Sequence, residues 1–227
     1  MRFASKRGGR AAALACAAVT AAVAVAGATG AAPGADFDTV FSAAGEPAYL
    51  HAEVRFVDRG TAHRMALWRD HERRVLHVTD ARITTLATRT RGAGYDLVVL
   101  DHVRRTSTRI SRDNLYRIGD FTDWFDMGHG LRHPRGPYAL APTAGPVPAT
   151  LPATPAPCRW YDLSQAAGVA HVCWDGRDRL PLLIATAAWV PMWRVVAIDR
   201  SAIPAGRFVL DDRGYVRNDA DRDVEGD

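Results

Sequence analysis

Two histidines four residues apart, His129 and His133, have the spacing that places two imidazoles on one helix face, as in many zinc sites. Gly128, Gly130 and Pro134 surround them and disfavour a helix there, and no glutamate lies between them. The alternating acids near the C-terminus resemble a calcium loop in spacing, but they lack the glycine required at position 6. We therefore predict no metal site and no cofactor.

No serine of the chain lies in a recognisable nucleophile motif. The patterns G-x-S-x-G and S-x-x-K are absent, as are the glycine-rich motifs that bind nucleotide phosphates. Catalytic triads are defined by geometry rather than by sequence, so this absence disfavours an enzyme without excluding one. We predict a protein that is not an enzyme and keep an enzyme of unknown type as the least favoured alternative.

Two cysteines, Cys158 and Cys173, are separated by 14 residues, whereas the two cysteines of a catalytic dithiol usually have two residues between them. If residues 158–173 form an antiparallel hairpin that reverses at residues 165–167, Cys158 lies opposite Cys173 and Trp160 opposite His171. Opposed residues at a non-hydrogen-bonded pair are about 4.5 Å apart at Cα, within reach of a disulfide. We predict a structural disulfide; a redox or metal role is the alternative.

Aromatic residues occur in nearly every segment and could enclose an apolar ligand. Residues 121–127 (FTDWFDM) are predicted to form a helix that ends with Gly128 in the left-handed conformation. The aromatic side chains of this helix either pack it on a sheet or line a pocket. We predict an apolar cavity between helix and sheet, with ligand-binding residues Phe56, Trp68, Trp124, Phe125 and Trp160.

The elements that must position these residues are mostly β-strands. Residues 49–57 alternate between apolar and polar side chains, and further strands are predicted at 61–69, 72–80, 83–89, 96–100, 105–110, 180–185 and 192–198. A hairpin turning at Asp70 and His71 would set Met65 opposite Leu76. The fold class that follows is mainly β (α+β), with an antiparallel sheet.

The N-terminal segment, residues 1–31, has a basic start followed by an apolar stretch and small residues, which is typical of a secretory signal peptide. It contains four of the 29 basic residues, so its removal leaves 29 − 4 = 25 basic against 25 acidic residues. This balance disfavours nucleic-acid binding. We predict a periplasmic protein that begins between residues 27 and 36, carries no lipid on Cys16 and has no transmembrane segment.

The domain organisation predicted for the rest of the chain is simple. Residues 36–215 form one β domain, which contains a proline-rich linker at residues 142–157. Residues 216–227 form a polar acidic tail, and disorder is predicted for residues 218–227.

Three short motifs resemble a known superfamily: DGRDRLPL at residues 175–182, WRVVAID at residues 193–199 and PAGRFVL at residues 204–210. Together with the element order, they resemble the periplasmic lipoprotein carriers LolA and LolB and the related envelope-stress regulators RseB and MucB, over residues 36–215. The resemblance implies a curved antiparallel sheet or half-barrel covered on its concave side by a few helices. It implies no catalytic residue.

The function predicted from these observations is periplasmic, non-catalytic binding of a lipid, a lipoprotein or another apolar ligand. The alternative is an envelope-stress regulatory protein that binds a membrane-protein partner. A continuous apolar lining on the concave face would favour the first, whereas polar residues converging in a pocket would favour an enzyme.

Overall fold

The fold is seen in a computed structural model that describes residues 35–71, 73–92, 94–118 and 122–225. The predicted signal peptide and its cleavage site lie outside the described residues. The strands are β1 (Tyr49–Asp58), β2 (Thr61–Asp70), β3 (Arg74–Thr79), β4 (Ile83–Arg89), β5 (Tyr95–Asp101), β6 (Thr106–Ser111), β7 (Ala139–Pro142), β8 (Arg159–Gln165), β9 (Gly168–Asp175), β10 (Leu180–Thr186), β11 (Pro191–Asp199) and β12 (Val216–Asp219). The helices are α1 (Phe37–Val40), α2 (Arg112–Arg117), α3 (Trp124–His129) and α4 (Ala220–Glu225), with a 3-10 helix at Ala205–Phe208.

All described strands belong to one open sheet in the order β12-β6-β5-β4-β3-β2-β1-β11-β10-β9-β8-β7. Two antiparallel meanders, β1 to β6 and β7 to β11, are joined where β1 pairs with β11. β12 pairs with β6 in parallel. The predicted fold class is confirmed: the protein is mainly β, and its described residues form one open sheet with four short α-helices.

The two faces of the sheet follow from the alternation in β1. Leu50, Ala52 and Val54 are buried on one face, while His51 and Arg55 belong to the other. Arg69 of β2 lies directly opposite Leu50 and so shares its face, and its guanidinium donates a hydrogen bond to a carbonyl of α3. We therefore call this face the helix-covered face. The other is the opposite face.

Irregular segments lie over part of the opposite face. The side chain of Arg194 donates a hydrogen bond to the carbonyl of Ala153, within the predicted proline-rich linker. The guanidinium of Arg207, in the 3-10 helix, lies 4.8 Å from the ring centre of Trp68. The opposite face is therefore covered in places but carries no helix longer than this single 3-10 turn among the described residues.

The predicted register of the β2–β3 hairpin is wrong by three residues. Met65 lies opposite Thr79, and Leu76 lies opposite Trp68. The last residue pair of the hairpin is Asp70 and Arg74, so the chain reverses between these two residues rather than at Asp70 and His71. A shift by an odd number of residues exchanges the two faces of one strand relative to the other. Met65 and Leu76, predicted to share a face, therefore lie on different faces of the sheet.

The predicted disulfide between Cys158 and Cys173 is confirmed, with the two Cα atoms 5.4 Å apart. The hairpin register differs from the predicted one by two residues, because Cys173 lies opposite Trp160 and the reversal is at residues 166–167. An even shift keeps every side chain on its predicted face, so the sulfur atoms could still meet.

Helix α3 begins after Asp123, whose carboxylate accepts a hydrogen bond from the backbone N–H of Asp126. It ends at Gly130 with φ 66°, two residues beyond the predicted end at Gly128. A Cβ atom on Gly130 would lie 2.5 Å from the ring of Trp193, so both the backbone conformation and the close contact require glycine. No helix of the described residues is long and apolar enough to cross a membrane.

The prediction of a disordered tail is wrong for residues 218–225, which belong to β12 and α4. The carboxylate of Asp221 accepts hydrogen bonds from the N–H and hydroxyl of Ser111 and from the amide of Asn114. These bonds fix α4 to the junction of β6 and α2. Asp221, one of the acidic residues from which a solvated tail was predicted, therefore helps to cap the start of α2.

Candidate functional site

A fully buried arginine, Arg69, joins three parts of the chain beneath α3. Its Nε lies 2.9 Å from Glu46 Oε2, in the segment between α1 and β1. Its terminal nitrogens donate hydrogen bonds to the carbonyl of Gly128, 2.8 Å away, and to the carbonyl of Asp178, 2.7 Å away. The Nε contact with Glu46 is an ion pair without hydrogen-bond geometry, so two hydrogen bonds and one buried carboxylate stabilise this guanidinium in place of water.

The carboxylate of Glu46 also contacts an imidazole, with Oε2 3.2 Å from His129 Nε2. Burial raises the pKa of Glu46, but the hydrogen bond from His129 and the charge of Arg69 outweigh it and hold that pKa below its ordinary value. Burial lowers the pKa of His129. Both ring nitrogens of His129 face acceptors, Nε2 the carboxylate of Glu46 and Nδ1 the carbonyl of Phe125, 3.1 Å away, so a neutral imidazole donates to one of the two only. Among the described residues, Glu46 Oε1 has no hydrogen-bond partner.

A cavity of about 300 Å³ lies beside this network, between α3 and the sheet. Its walls are formed by Ala43, Glu46, Arg89, Arg112, Asp123, Trp124, Phe125 and His129. The cavity lies where the sequence analysis placed one and includes the predicted residues Trp124 and Phe125. Its walls differ from the prediction, because charged side chains form half of them. Such a lining suits a small polar molecule better than an acyl chain.

Most of the surface of Trp124 and Phe125 packs against protein. Trp124 is 9% exposed, with its ring centre 6.4 Å from that of Tyr95. Phe125 stacks on His129 at 4.4 Å. The packing alternative that the sequence left open for these two side chains therefore applies to most of their area, although both also line the cavity.

The five predicted ligand-binding residues do not enclose one cavity. Trp68 lies opposite His51 on the face away from the helices, where the two rings stack at 4.6 Å. Trp160 alternates with Tyr161, which contacts α1, so it too lies on the opposite face; its ring centre is 5.3 Å from that of Trp189. Because strand neighbours point to opposite faces, Trp68 and Trp160 cannot share a wall with Trp124.

The two histidines with zinc-like spacing bond different carboxylates. His129 turns to Glu46, whereas His133 lies 2.8 Å from Asp38 and 3.0 Å from Asp126. Hydrogen bonding to Asp126 and Asp38 raises the pKa of His133 to about 9, against an opposing effect of burial. His133 is thus an imidazolium near neutral pH, and its two ring N–H groups donate hydrogen bonds to the carboxylates of Asp126 and Asp38.

A row of three arginines crosses three adjacent strands on the opposite face. Arg55 of β1 lies directly opposite Arg64 of β2 on one side and opposite Arg194 of β11 on the other. None of the three forms an ion pair with a carboxylate of the described residues. Like charges directly opposed across strands destabilise a sheet. We call this set the arginine row.

An apolar row lies beside the arginine row on the same face. Ala62 lies opposite Val57, two residues from Arg64 and Arg55 respectively, and Met192 precedes Arg194 by two residues. Both rows line one cavity of about 450 Å³, with Phe56, His63, Pro152, Pro191 and Trp193 as the other lining residues. Phe56 is the one predicted ligand-binding residue that lines this cavity, and as the strand neighbour of Arg55 its side chain belongs to the helix-covered face.

The arginine row could not be predicted from the sequence, because its members come from three separate strands. Each arginine follows the alternation of its own strand, and nothing in the local sequence distinguishes it from a solvated side chain. Only the pairing of β1 with both β2 and β11 brings the three together.

Comparison with known proteins adds no assignment: no protein-family model matches the chain, and no curated protein matches it significantly. The resemblance to the lipoprotein carriers stays a prediction.

Proposed function

We propose that the protein is an exported, non-catalytic binding protein for an amphipathic acid, a molecule with a carboxylate or phosphate head and an apolar chain. The observation that carries the proposal is the arginine row next to an apolar row in one cavity. This keeps the predicted class of lipid-like ligand. It moves the site from the helix-covered face to the opposite face.

The chemistry of the two rows matches the two ends of such a ligand. A guanidinium presents a planar set of donors that suits carboxylate and phosphate oxygens. Val57, Ala62 and Met192 offer only apolar surface, on which a methylene chain gains about 0.8 kcal/mol per buried CH₂. The volume of about 450 Å³ lies within the usual range for small-molecule sites.

The charge balance supports an anion at this place. Three opposed guanidinium groups without acidic partners repel one another, and an anion bound between them would relieve that repulsion. Of the residues that line the cavity, none is acidic. The one carboxylate that contacts the lining residues, among the described residues, is that of Asp80, which lies 2.6 Å from His63 Nδ1 and accepts a hydrogen bond from the backbone N–H of Arg64 at 2.8 Å. It does not contact the guanidinium groups.

Calorimetric titration of the purified protein with dodecanoate, dodecyl phosphate and dodecanol tests the proposal. Replacing Arg55 and Arg64 together by Gln should weaken binding of the two acids about tenfold or more, because charge-assisted hydrogen bonds are lost. The matched control is Arg59→Gln, at the exposed turn of the same hairpin, which should bind like the natural protein. Equal binding of dodecanol and the acids, or equal weakening by Arg59→Gln, would contradict the proposal.

A further inference from the structure

A second cavity, of about 710 Å³, lies between α1 and the strands β8 and β9. Its lining residues are Thr39, Val40, Pro157, Cys158, Arg159, Tyr161, Trp174, Gly176 and Arg179. It shares no lining residue with the cavity at the arginine row. Its wall contains hydrogen-bond donors and two cations but no carboxylate, so its charge is positive.

A buried donor in this wall has no acceptor within the described residues. Trp174 is 3% exposed, and its indole Nε1 has no hydrogen-bond partner. The indole N–H can only donate, and buried polar groups in folded proteins are almost always hydrogen-bonded. The ring itself is fixed, since it packs against Phe41 at 5.2 Å and Phe125 at 6.3 Å. The missing partner is therefore an acceptor that comes to the ring.

The two arginines of the wall are also without acidic partners. Arg159 lies directly opposite Trp174 in the β8–β9 pairing, so both side chains are on the face that α1 covers. Arg179 belongs to the turn between β9 and β10, and its Nε is buried with no hydrogen-bond partner. Neither arginine forms an ion pair with a carboxylate of the described residues. Two guanidinium groups and an indole N–H match the oxygens of one anion.

The rest of the wall is mostly apolar. Val40, Pro157, the disulfide-bonded Cys158 and the ring of Tyr161 provide surface for the part of a ligand that is not charged. An inorganic anion would leave this surface in contact with water only. The lining therefore favours an organic anion.

We propose that this cavity binds a small organic anion, a phosphate monoester or a carboxylate that carries a ring. One oxygen accepts from the Trp174 indole, and the other oxygens accept from Arg159 and Arg179. The ring packs on Val40 and Pro157. This site is independent of the amphipathic acid assigned to the arginine row, because it depends on different residues.

Fluorescence titration of the oxidised protein with phenyl phosphate, benzoate and phenol tests the proposal, because Trp174 reports directly on the site. At least one of the two anions should change the emission saturably, whereas phenol should not. Trp174→Phe should abolish the emission change. Arg159→Gln and Arg179→Gln should each raise the dissociation constant about tenfold, and Arg177→Gln, in the same turn but exposed, should leave it unchanged.

Several results would overturn the proposal. If neither anion binds, the cavity is not an anion site. If phenol binds as tightly as the anions, or Arg177→Gln weakens binding as much as Arg179→Gln, the positive wall does not select an anion. Calorimetry with dodecanoate on Arg179→Gln separates the two sites, since that variant should keep the natural affinity for the amphipathic acid.

Discussion

At the scale of single residues, the guanidinium of Arg69 determines how the middle of the sheet meets the elements above it. Its partners come from the segment before β1, from α3 and from the turn after β9. Asp178, in that turn, also holds Arg200, whose Nε donates to its carboxylate at 2.6 Å. Buried charges of this kind contribute little when complete but are costly when one partner is removed.

Replacing Arg69 by Met should therefore destabilise the protein by about 3–5 kcal/mol, because the carboxylate of Glu46 would remain buried without its cation. Chemical denaturation measures this as a lower midpoint. Arg132→Met, at an exposed position, should change the free energy of unfolding by less than about 0.5 kcal/mol. Adding Glu46→Gln to Arg69→Met should recover part of the loss, and no recovery would mean that the ion pair is not the cause.

His133 should make stability depend on alkaline pH. Its pKa is raised to about 9 in the folded protein, first by hydrogen bonding to Asp126, whereas an unfolded histidine titrates near pH 6.5. A group with a raised folded pKa stabilises fully below its unfolded pKa, and this contribution is lost as the pH rises through its folded pKa. The stability advantage of the natural protein over His133→Gln should be largest near pH 6 and disappear by about pH 10. A constant difference across this range would show that the imidazolium does not matter.

At the scale of the elements, alternation predicted most strands but not their pairing. β4 spans the predicted residues 83–89, because this stretch is rich in β-branched residues and is bounded by turns. The register of β2 on β3 was wrong, since it depends on a three-residue turn that the sequence does not specify clearly. The arginine row depends on two registers, one of them between strands far apart in the chain. Local patterns could not reveal it.

The disulfide anchors the start of β8, and with it the preceding irregular segment, to β9. Closing a loop of 15 residues contributes about 3 kcal/mol in the chain-entropy model, and less here because the hairpin is local. A reductant should lower the thermal midpoint of the natural protein, and the double variant Cys158→Ala, Cys173→Ala should show a similar midpoint. That variant should not respond to the reductant. A natural protein whose midpoint is unchanged by reductant would argue against a stabilising bond.

Asp221 should control whether β12 and α4 stay in place. Its carboxylate accepts three hydrogen bonds from Ser111 and Asn114, so Asp221→Ala should cost about 1–3 kcal/mol in the local stability of residues 216–225. Hydrogen exchange of the amides in this segment measures the local opening. The exposed Asp223 provides the control, and Asp223→Ala should leave the exchange rates unchanged. Equal acceleration in both variants would assign the effect to net charge instead.

At the scale of the whole molecule, one sheet presents different chemistry on its two faces. The helix-covered face is filled by α1, α3 and the network around Arg69. The opposite face carries the arginine row, between irregular segments that cover its neighbours. The resemblance to the carriers predicted ligand binding on the concave side, but the described helices and charged side chains occupy much of that side. The proposed site is therefore on the other side of the sheet.

Native mass spectrometry of the natural protein, purified without detergent from cells that export it, tests the central claim most directly. The account predicts a mass excess from one acidic amphiphile per chain, which organic solvent releases and which Arg59→Gln retains. The double variant Arg55→Gln, Arg64→Gln should lack it. A natural protein without any bound amphiphile, or a double variant that carries the same amphiphile in the same amount, would contradict the assignment of the arginine row as a lipid-acid site.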